Sequence, residues 1–206
     1  MKYFISDLHI RHTNVLSYDN RPFTTIEEHD SVIMKNWNDR VTESDDVYIL
    51  GDIGFADAET ISTYYRNLHG RKHLILGNHD KMFFRKENEK LFKNVFCEVR
   101  DYMELYLDKK HSIVLSHYPM PCFKNSFHGW IHFYGHVHNS FDWNMMEHDK
   151  MLIQNLYSKN PKENGNKTDV CRMYNVGCMI PYMDYIPRTI DEILASDNCK
   201  LNLTFI

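Results

Sequence analysis

The sequence of 206 residues lacks the features that mark several large classes of protein. No apolar run approaches the roughly 18 residues that a membrane-spanning helix needs. Asp7 stands too early in the chain for the apolar core of a signal peptide. There is no internal repeat and no low-complexity tract. We therefore expect a cytoplasmic protein that makes no contact with a membrane.

The cysteines have no pairing pattern. Their number, five, is odd, and no two of them form a C-x-x-C motif. Both observations argue against a disulfide framework and against a zinc site built from thiolates. We expect them to be reduced thiols; they are Cys97, Cys122, Cys171, Cys178 and Cys199.

A strong excess of charge is also missing. The formal net charge is −4, with 25% charged and 43% hydrophobic residues, which is typical of a globular protein. This balance argues against a long nucleic acid as partner. With roughly 150 residues per domain as a guide, we predict one α/β domain over residues 1–206. The polar stretch 158–169 is expected to be a surface loop within it.

Strand and helix signals alternate along the first half of the chain. Thr25 and Glu28 form a capping box that begins one helix. Asp57 can cap a second helix, with Gly70 just past its end. Three short β-prone runs accompany these helices, at residues 3–6, 47–50 and 74–76. A β-α-β-α-β order of this kind is typical of a mostly parallel sheet.

Beyond residue 95 the pattern becomes more β-like. We predict a strand pair joined by a turn at residues 108–110, two further strands, and a last helix that begins near Thr189. The predicted strands are at residues 102–107, 113–115, 131–134 and 170–176.

Polar residues follow five of the apolar strand runs. They are Asp7 and His9; Gly51 and Asp52; Gly77, Asn78, His79 and Asp80; His117; and Gly135, His136 and His138. In open α/β sheets, ligands bind at the carboxyl ends of strands. We therefore expect these side chains to meet in one site, with the glycines in tight turns that let the backbone approach a bound ion or phosphate.

The chemistry of these donors indicates divalent metal ions. Carboxylate, imidazole and amide ligands without thiolate suit manganese, iron, zinc, cobalt or nickel. One ion cannot use so many ligands, so two are expected. Asp7 and Asp52 would neutralise only half of the charge of two such ions. The remainder would hold a phosphate and favour hydrolysis of a phosphoester.

Each motif alone has an ordinary structural explanation. Asp-x-His pairs are common, Gly-Asp is frequent in turns, and His136 and His138 alternate as two polar residues on one side of a strand would. The ordered combination after five strands favours a site.

The five motifs resemble the signature of the calcineurin-like metallophosphoesterases. They read D-x-H, G-D, G-N-H-[D/E], a lone His and G-H-x-H, and they span residues 7–138. Further residues are similar to those of a small bacterial and phage subgroup of predicted phosphohydrolases: His12 and Asn14, residues 21–23 and 37–38, and residues 175–177. The resemblance implies a metallophosphoesterase fold, in which two mixed β-sheets are sandwiched between helices (α/β/β/α).

The resemblance also implies a role for each site residue. Asp52 would bridge two ions and contribute to catalysis, and a hydroxide between the ions would attack a phosphomonoester or phosphodiester. His79 would contact the phosphate and protonate the leaving group, and Asn78 would also contact substrate. Manganese is the first choice of metal, and a small phosphorylated molecule or a nucleotide is the expected substrate. The first ion would be held by Asp7, His9, Asp52 and His138, and the second by Asp52, Asn78, His117 and His136.

One position departs from the family pattern. Many members read G-D-x-x-D, where the second Asp orients the histidine that corresponds to His79, but this chain has Phe55 there. Asp80 and Asp57 are the carboxylates that could replace it. Without an orienting partner, His79 would protonate a leaving group weakly, and esters with good leaving groups would be preferred.

Two further residues are candidates for the substrate pocket. His12 and Arg21 follow the first motif, and the planar guanidinium of arginine suits phosphate oxygens; the alternative is that both are surface-loop residues. His29 is predicted at the surface. The basic stretch 81–93 is expected to be a solvated helix face.

Two other functions fit the same residues. One is a nuclease that acts on short RNA or DNA. The other is a non-catalytic phosphate-binding scaffold that retains the fold and not the chemistry.

Overall fold

The computed structural model describes residues 1–107, 111–159 and 170–197. In these residues the strands form two four-stranded sheets, and helices flank the sheets. The strands are β1 (Lys2–Ile5), β2 (Asp46–Ile49), β3 (Arg71–Ile75), β4 (Phe96–Arg100), β5 (Tyr102–Tyr106), β6 (Ser112–Ser116), β7 (Ile131–Tyr134) and β8 (Arg172–Asn175). The helices are α1 (Val15–Tyr18), α2 (Ile26–Asn38), α3 (Ala58–Arg66), α4 (Glu89–Phe92), α5 (Phe141–Ser158) and α6 (Ile190–Ala195).

The first sheet has the order β1-β2-β3-β4, and its pairs are all parallel. Ile5 lies beside Ile49, and Ile49 beside Leu74, so fully buried aliphatic residues run across the sheet. Parallel neighbours need a crossover connection, and α2 and α3 provide the first two. The predicted β-α-β-α-β order is confirmed.

The second sheet has the order β5-β6-β7-β8. Strands β5 and β6 are antiparallel, as a short connection predicts, and the other two pairs are parallel. This sheet is mixed, whereas the first is parallel throughout its named strands. The expectation of two mixed sheets is therefore corrected for the first of them. The predicted turn at residues 108–110 lies outside the described residues.

Local capping residues start the helices where the sequence predicts. The Thr25 side chain accepts a hydrogen bond from the backbone N–H of Glu28 at the start of α2. Asp57 accepts one from Thr60 at the start of α3, and Thr189 forms a capping box with Glu192 at α6. Such bonds satisfy N–H groups that have no partner within the helix.

The surface loop predicted at residues 158–169 can be compared with the structure only at its start. Residues 141–158 form the long helix α5, whose N-cap is Ser140, so Ser158 ends a helix, and residues 160–169 lie outside the described part of the chain.

The prediction of a single helix over residues 81–93 is wrong, because this stretch forms two 3₁₀ turns and the short α4. Its apolar residues Phe83 and Phe92 are buried, so the stretch is not a solvated face throughout.

The two sheets share one apolar core. The ring of Phe4 on β1 packs edge-on against Phe133 on β7, with 4.8 Å between centroids. A parallel bridge between Ser6 and Gly177 connects the ends of β1 and β8. None of the described helices has the length and apolar character needed to cross a membrane. The four cysteines in the described residues are free thiols.

Candidate metal centre

The five polar segments that follow the strands converge at one edge of the structure. Backbone pairing between β1 and β2 continues past the last strand residues, because Asp7 N–H donates to Gly51 O at 3.0 Å and His9 N–H donates to Asp52 O at 3.0 Å. This extension places the first two motifs side by side. The predicted meeting of these motifs therefore results from the pairing of neighbouring strands.

Four of the predicted ligands form a compact group. One ligating atom from each of Asp7, His9, Asp52 and His138 lies within 4.8 Å of the others, and these residues are buried or half-buried. His9 Nε2 lies 3.2 Å from His138 Nε2 and 3.6 Å from Asp52 Oδ2. His138 Nε2 lies 3.6 Å from Asp7 Oδ1. This group, the first cluster, could hold a metal ion.

The remaining predicted ligands form a second group against the first. Asn78 Oδ1 lies 3.0 Å from His117 Nε2 and 3.0 Å from His136 Nδ1. Asp52 Oδ2 lies 3.6 Å from His117 Nε2, the same separation that it has from His9 Nε2. One carboxylate oxygen therefore lies between the two groups. We call this group, which consists of Asp52, Asn78, His117 and His136, the second cluster.

Hydrogen bonds on the far side of two histidines fix which nitrogen faces the site. His117 Nδ1 donates to the carbonyl of Leu50 at 2.7 Å. His138 Nδ1 donates to Asp19 Oδ1 at 2.7 Å. When these rings are neutral, Nε2 therefore carries no proton and presents a lone pair to the cluster. Outer partners of this kind orient metal-binding histidines in proteins.

The electrostatics of the first cluster suit a cation. Burial raises the pKa of the Asp52 carboxyl above its usual value, and the negative charge of Asp7 raises it further. Burial also lowers the pKa of His9 well below its usual value, which favours the neutral, ligating form of the ring. For His138, burial lowers the pKa, but the hydrogen bond to Asp19 and the negative charges of Asp7 and Asp19 together outweigh burial, and the net shift is upward. Two close, buried carboxylates repel one another, and a bound cation would relieve that repulsion.

The backbone is strained at the same residues. Asp7, His9, Asp52, His136 and His138 all have positive φ, between 49° and 70°. This left-handed region is unfavourable for non-glycine residues and is concentrated at functional sites. Backbone N–H groups also hold the carboxylates: His136 N–H donates to both oxygens of Asp7 at 3.1 Å.

Gly77 and Gly135 are required by a close approach. A Cβ at Gly77 would overlap the Asp52 carboxylate, and one at Gly135 would overlap Ser6 Oγ and the Asp7 carboxylate. The prediction that these glycines bring backbone near the site agrees with this packing. The backbone of Gly77 directly approaches the carboxylate of Asp52, and that of Gly135 approaches the carboxylate of Asp7.

Neither proposed substitute for the missing aspartate serves His79. The carboxylate of Asp80 is buried and accepts backbone N–H bonds from Gly77, Asp52 and Ile53 at 2.8 to 2.9 Å. Burial raises the pKa of Asp80 to about 6 in spite of these donors. Asp57 is used by the cap of α3. Asp80 therefore holds backbone N–H groups and Asp57 caps a helix, and neither carboxylate is bonded to His79.

The exposed His79 ring lies at the rim of the first cluster. Its centroid is 5.9 Å from that of His9 and 6.1 Å from that of Phe55. The His79 ring therefore lies near one ring of the first cluster and near Phe55, the residue at the position that departs from the pattern of the resembled family. Phe55 itself stacks on His12, with 4.6 Å between centroids and 22° between planes.

His12 lies behind the first cluster. His12 Nδ1 is 3.1 Å from His9 Nδ1, so it contacts the ligand ring on the side away from the cluster. The predicted contact of His12 with substrate remains a prediction. The contact between the two Nδ1 atoms also places His12 where it can orient the His9 ring.

Arg21 does not line an open pocket, and this prediction is corrected. Its side chain is fully buried and its guanidinium donates to Asp19 at 2.8 and 2.9 Å, to Asp7 O at 3.0 Å and to Leu8 O at 3.3 Å. It also donates to His29 Nε2 at 2.8 Å. His29 is likewise buried, not exposed. Arg21 therefore holds the backbone of the first motif, because its guanidinium N–H groups donate to the carbonyls of Asp7 and Leu8.

Two further residues support the site: Asp19, which the sequence analysis missed, and Asn175, to which it assigned no role. Asp19 links His138 to Arg21, and its only signal is its position two residues before Arg21. Asn175 is buried, and its amide donates to the carbonyl of His138 at 3.0 Å while its oxygen accepts from Gly177 N–H at 2.9 Å. This contact explains the motif at residues 175–177.

We predict that Asp19→Asn weakens metal binding by the first cluster. The substitution removes the charge that faces His138 and Arg21, and loss of such outer partners costs about 10- to 100-fold in metal affinity. Titration with manganese followed by equilibrium dialysis measures the change. Asp39→Asn, at an exposed site in a surface ion pair with Lys35, is the matched control. Equal affinities in wild type and Asp19→Asn would contradict the orienting role.

Comparisons with known proteins place the chain among relatives. No protein-family model matches it. It is 35% identical over 138 residues to the uncharacterized protein MJ1445 of Methanocaldococcus jannaschii, covering 66% of this chain and 68% of that protein. It is 34% identical over 130 residues to the Gene 66 protein of Mycobacterium phage L5, covering 57% of this chain and 62% of the phage protein.

A crystal structure from Aquifex aeolicus, described as the protein of unknown function AQ665, has a similar fold. The TM-score is 0.57 at 24% identity, and the superposition covers 94% of this chain and 97% of the other. This likeness concerns the fold alone. On the identity and coverage shared with the archaeal protein, the chain belongs to the same family as MJ1445 of Methanocaldococcus jannaschii.

Proposed function

We propose that this protein is a metal-dependent phosphohydrolase of the calcineurin-like metallophosphoesterase type. The observation that carries the proposal is the position of Asp52. Its Oδ2 is 3.6 Å from His9 Nε2 and 3.6 Å from His117 Nε2, so one carboxylate can serve two adjacent ions. A paired site of this kind is a common arrangement for phosphoester hydrolysis.

The chain would hold the ions with oxygen and nitrogen donors alone. The first ion would be bound by the first cluster and the second by the second cluster, with Asp52 shared. Manganese is the first choice, and iron, zinc, cobalt and nickel suit the same donors. When bound, such ions activate water for attack on phosphorus and offset the charge of the phosphoryl oxygens.

The residues around the clusters would bind and orient the substrate. Asn78 and His79 are exposed at the rim, where they can contact phosphoryl oxygens. His79 is also the group placed to donate a proton to the leaving oxygen. Because Asp80 and Asp57 are used elsewhere, this proton transfer has no carboxylate support. We expect a preference for esters whose leaving group departs easily.

Hydrolysis of simple esters tests the proposal. p-Nitrophenyl phosphate and bis(p-nitrophenyl) phosphate are incubated side by side with the protein and added manganese, and release of nitrophenolate is followed. We expect turnover that disappears in a chelator-treated sample and returns when manganese is restored. Preference for one ester distinguishes a phosphomonoesterase from a phosphodiesterase. Absence of both turnover and bound metal would refute the proposal and favour the non-catalytic scaffold.

A further inference from the structure

A cavity of about 330 Å³ opens directly beside the second cluster. Asn78 and His117 form part of its wall, and the chain between β6 and β7 contributes Tyr118 and Met120. Tyr102, at the start of β5, closes another side. We call this space the tyrosine cavity. A molecule in it would lie next to a phosphate held at the metal centre.

The two tyrosines present aromatic surface to this space. Tyr118 is 50% exposed and Tyr102 is 41% exposed. Tyr118 is fixed by the site, because its ring meets His136 edge-on with 4.5 Å between centroids and His117 with 5.2 Å. An ordered aromatic ring that keeps half of its surface open is suited to stack on another flat ring.

The charges on the wall favour an uncharged ring system. Lys81 and Asp101 bring one charge of each sign, so the cavity has no general preference for a second anionic group. Leu76 and Met120 add apolar surface. The volume lies near the lower end of the roughly 300–1,000 Å³ of small-molecule sites. One nucleoside-sized body with polar edges matches these properties, whereas an oligonucleotide does not.

Another exposed aromatic surface lies on the opposite side of the centre. Phe55 is 50% exposed, but it stacks on His12, so one of its faces is already occupied. That surface does not enclose a molecule as the tyrosine cavity does. The tyrosine cavity is therefore the better site for a flat substrate group.

We propose that the tyrosine cavity binds the nucleoside of a mononucleotide substrate, with the base stacked on Tyr118 and Tyr102 and the phosphate at the metal centre. This inference rests on the proposed phosphohydrolase function and adds the substrate class to it. It assigns to Tyr118 and Tyr102 the discrimination between nucleotides and other phosphate esters of similar size.

Binding of two probes tests this proposal without turnover. Adenosine 5′-monophosphate and ribose 5-phosphate share the phosphate and the sugar and differ in the base. Both probes are used as phosphonate analogues, whose C–P bond the protein cannot hydrolyse, and their affinities are measured by equilibrium dialysis in the presence of manganese. We expect wild type to bind adenosine 5′-monophosphate about tenfold more tightly, within the range that base–aromatic stacking contributes. In Tyr118→Leu the ratio of the two affinities should fall towards one, and in Tyr118→Phe it should be retained.

The control variant is Tyr106→Leu. Tyr106 lies on β5 with Tyr102 and is 67% exposed, but it packs against Trp130 and does not line the cavity. The preference for adenosine 5′-monophosphate should persist in it. Equal affinities for the probes in wild type, or a preference that survives in Tyr118→Leu with an unchanged denaturation midpoint, would overturn the proposal. The p-nitrophenyl ester assay reports the hydrolytic function separately, because it does not depend on a nucleobase.

Discussion

Replacement of Asp52 by asparagine is expected to lower the rate of phosphoester hydrolysis by about a thousandfold or more, as loss of a central catalytic group does in other enzymes. The reason is geometric. Asp52 Oδ2 faces both His9 and His117, so one substitution removes negative charge from both clusters. Asp52 Oδ1 accepts the backbone N–H of His79 at 3.1 Å, and the asparagine oxygen can keep this bond. The turn at His79 should therefore survive.

Two measurements on Asp52→Asn separate its effects. The hydrolysis rate with added manganese reports the activity, and elemental analysis after dialysis reports the bound metal. We expect both to fall. Asp57→Asn is the matched control, because Asp57 caps α3 and asparagine is an equally good N-cap. Wild-type turnover or unchanged metal content in Asp52→Asn would show that Asp52 does not bridge two ions.

Replacement of Asp80 by alanine is expected to destabilise the fold by about 3–6 kcal/mol. The carboxylate accepts backbone N–H bonds from Gly77, Asp52 and Ile53, and its side chain is fully buried. Alanine would leave three donors buried without a partner, at about 1–3 kcal/mol each before relaxation. The loss would also free the two loops that carry Asp52 and Asn78.

Chemical denaturation measures the free energy of unfolding of Asp80→Ala. Asp57→Ala serves as the comparison, since loss of an exposed N-cap costs about 1 kcal/mol. Asp80→Asn should fall between wild type and Asp80→Ala, because one acceptor oxygen is retained. If Asp80→Ala were no less stable than Asp57→Ala, the three hydrogen bonds would not hold the loops together.

Much of the fold could be predicted because its signals are local. The cap at Thr25 and the cap at Asp57 each depend on residues three positions apart. The parallel order of the first sheet follows from short apolar runs separated by helices. Helix α5 was missed because its apolar residues do not form a single buried stripe: Lys150 is its buried residue, whereas Phe141 and Leu156 are largely exposed.

The meeting of the site side chains could also be predicted, because each motif directly follows a strand and the carboxyl ends of strands meet. The residues that surround those side chains could not be predicted. The ring of His138 is held by Asp19, which is 119 positions away in the chain. Phe55 packs on His12, and nothing in the spacing of these two residues predicts that stack.

The sequence by itself therefore determined the alternation of strands and helices in the first half of the chain, the caps of the helices and the types of side chain that meet at the candidate centre, since these follow from neighbouring residues. The tertiary structure alone decided that Arg21 is buried, that Asp19 and Asn175 support His138, and that two tyrosines border a cavity beside Asn78. The physical reason is that burial and hydrogen-bond partners depend on which distant segments pack together. Side-chain partners of that kind leave no periodic pattern in the chain.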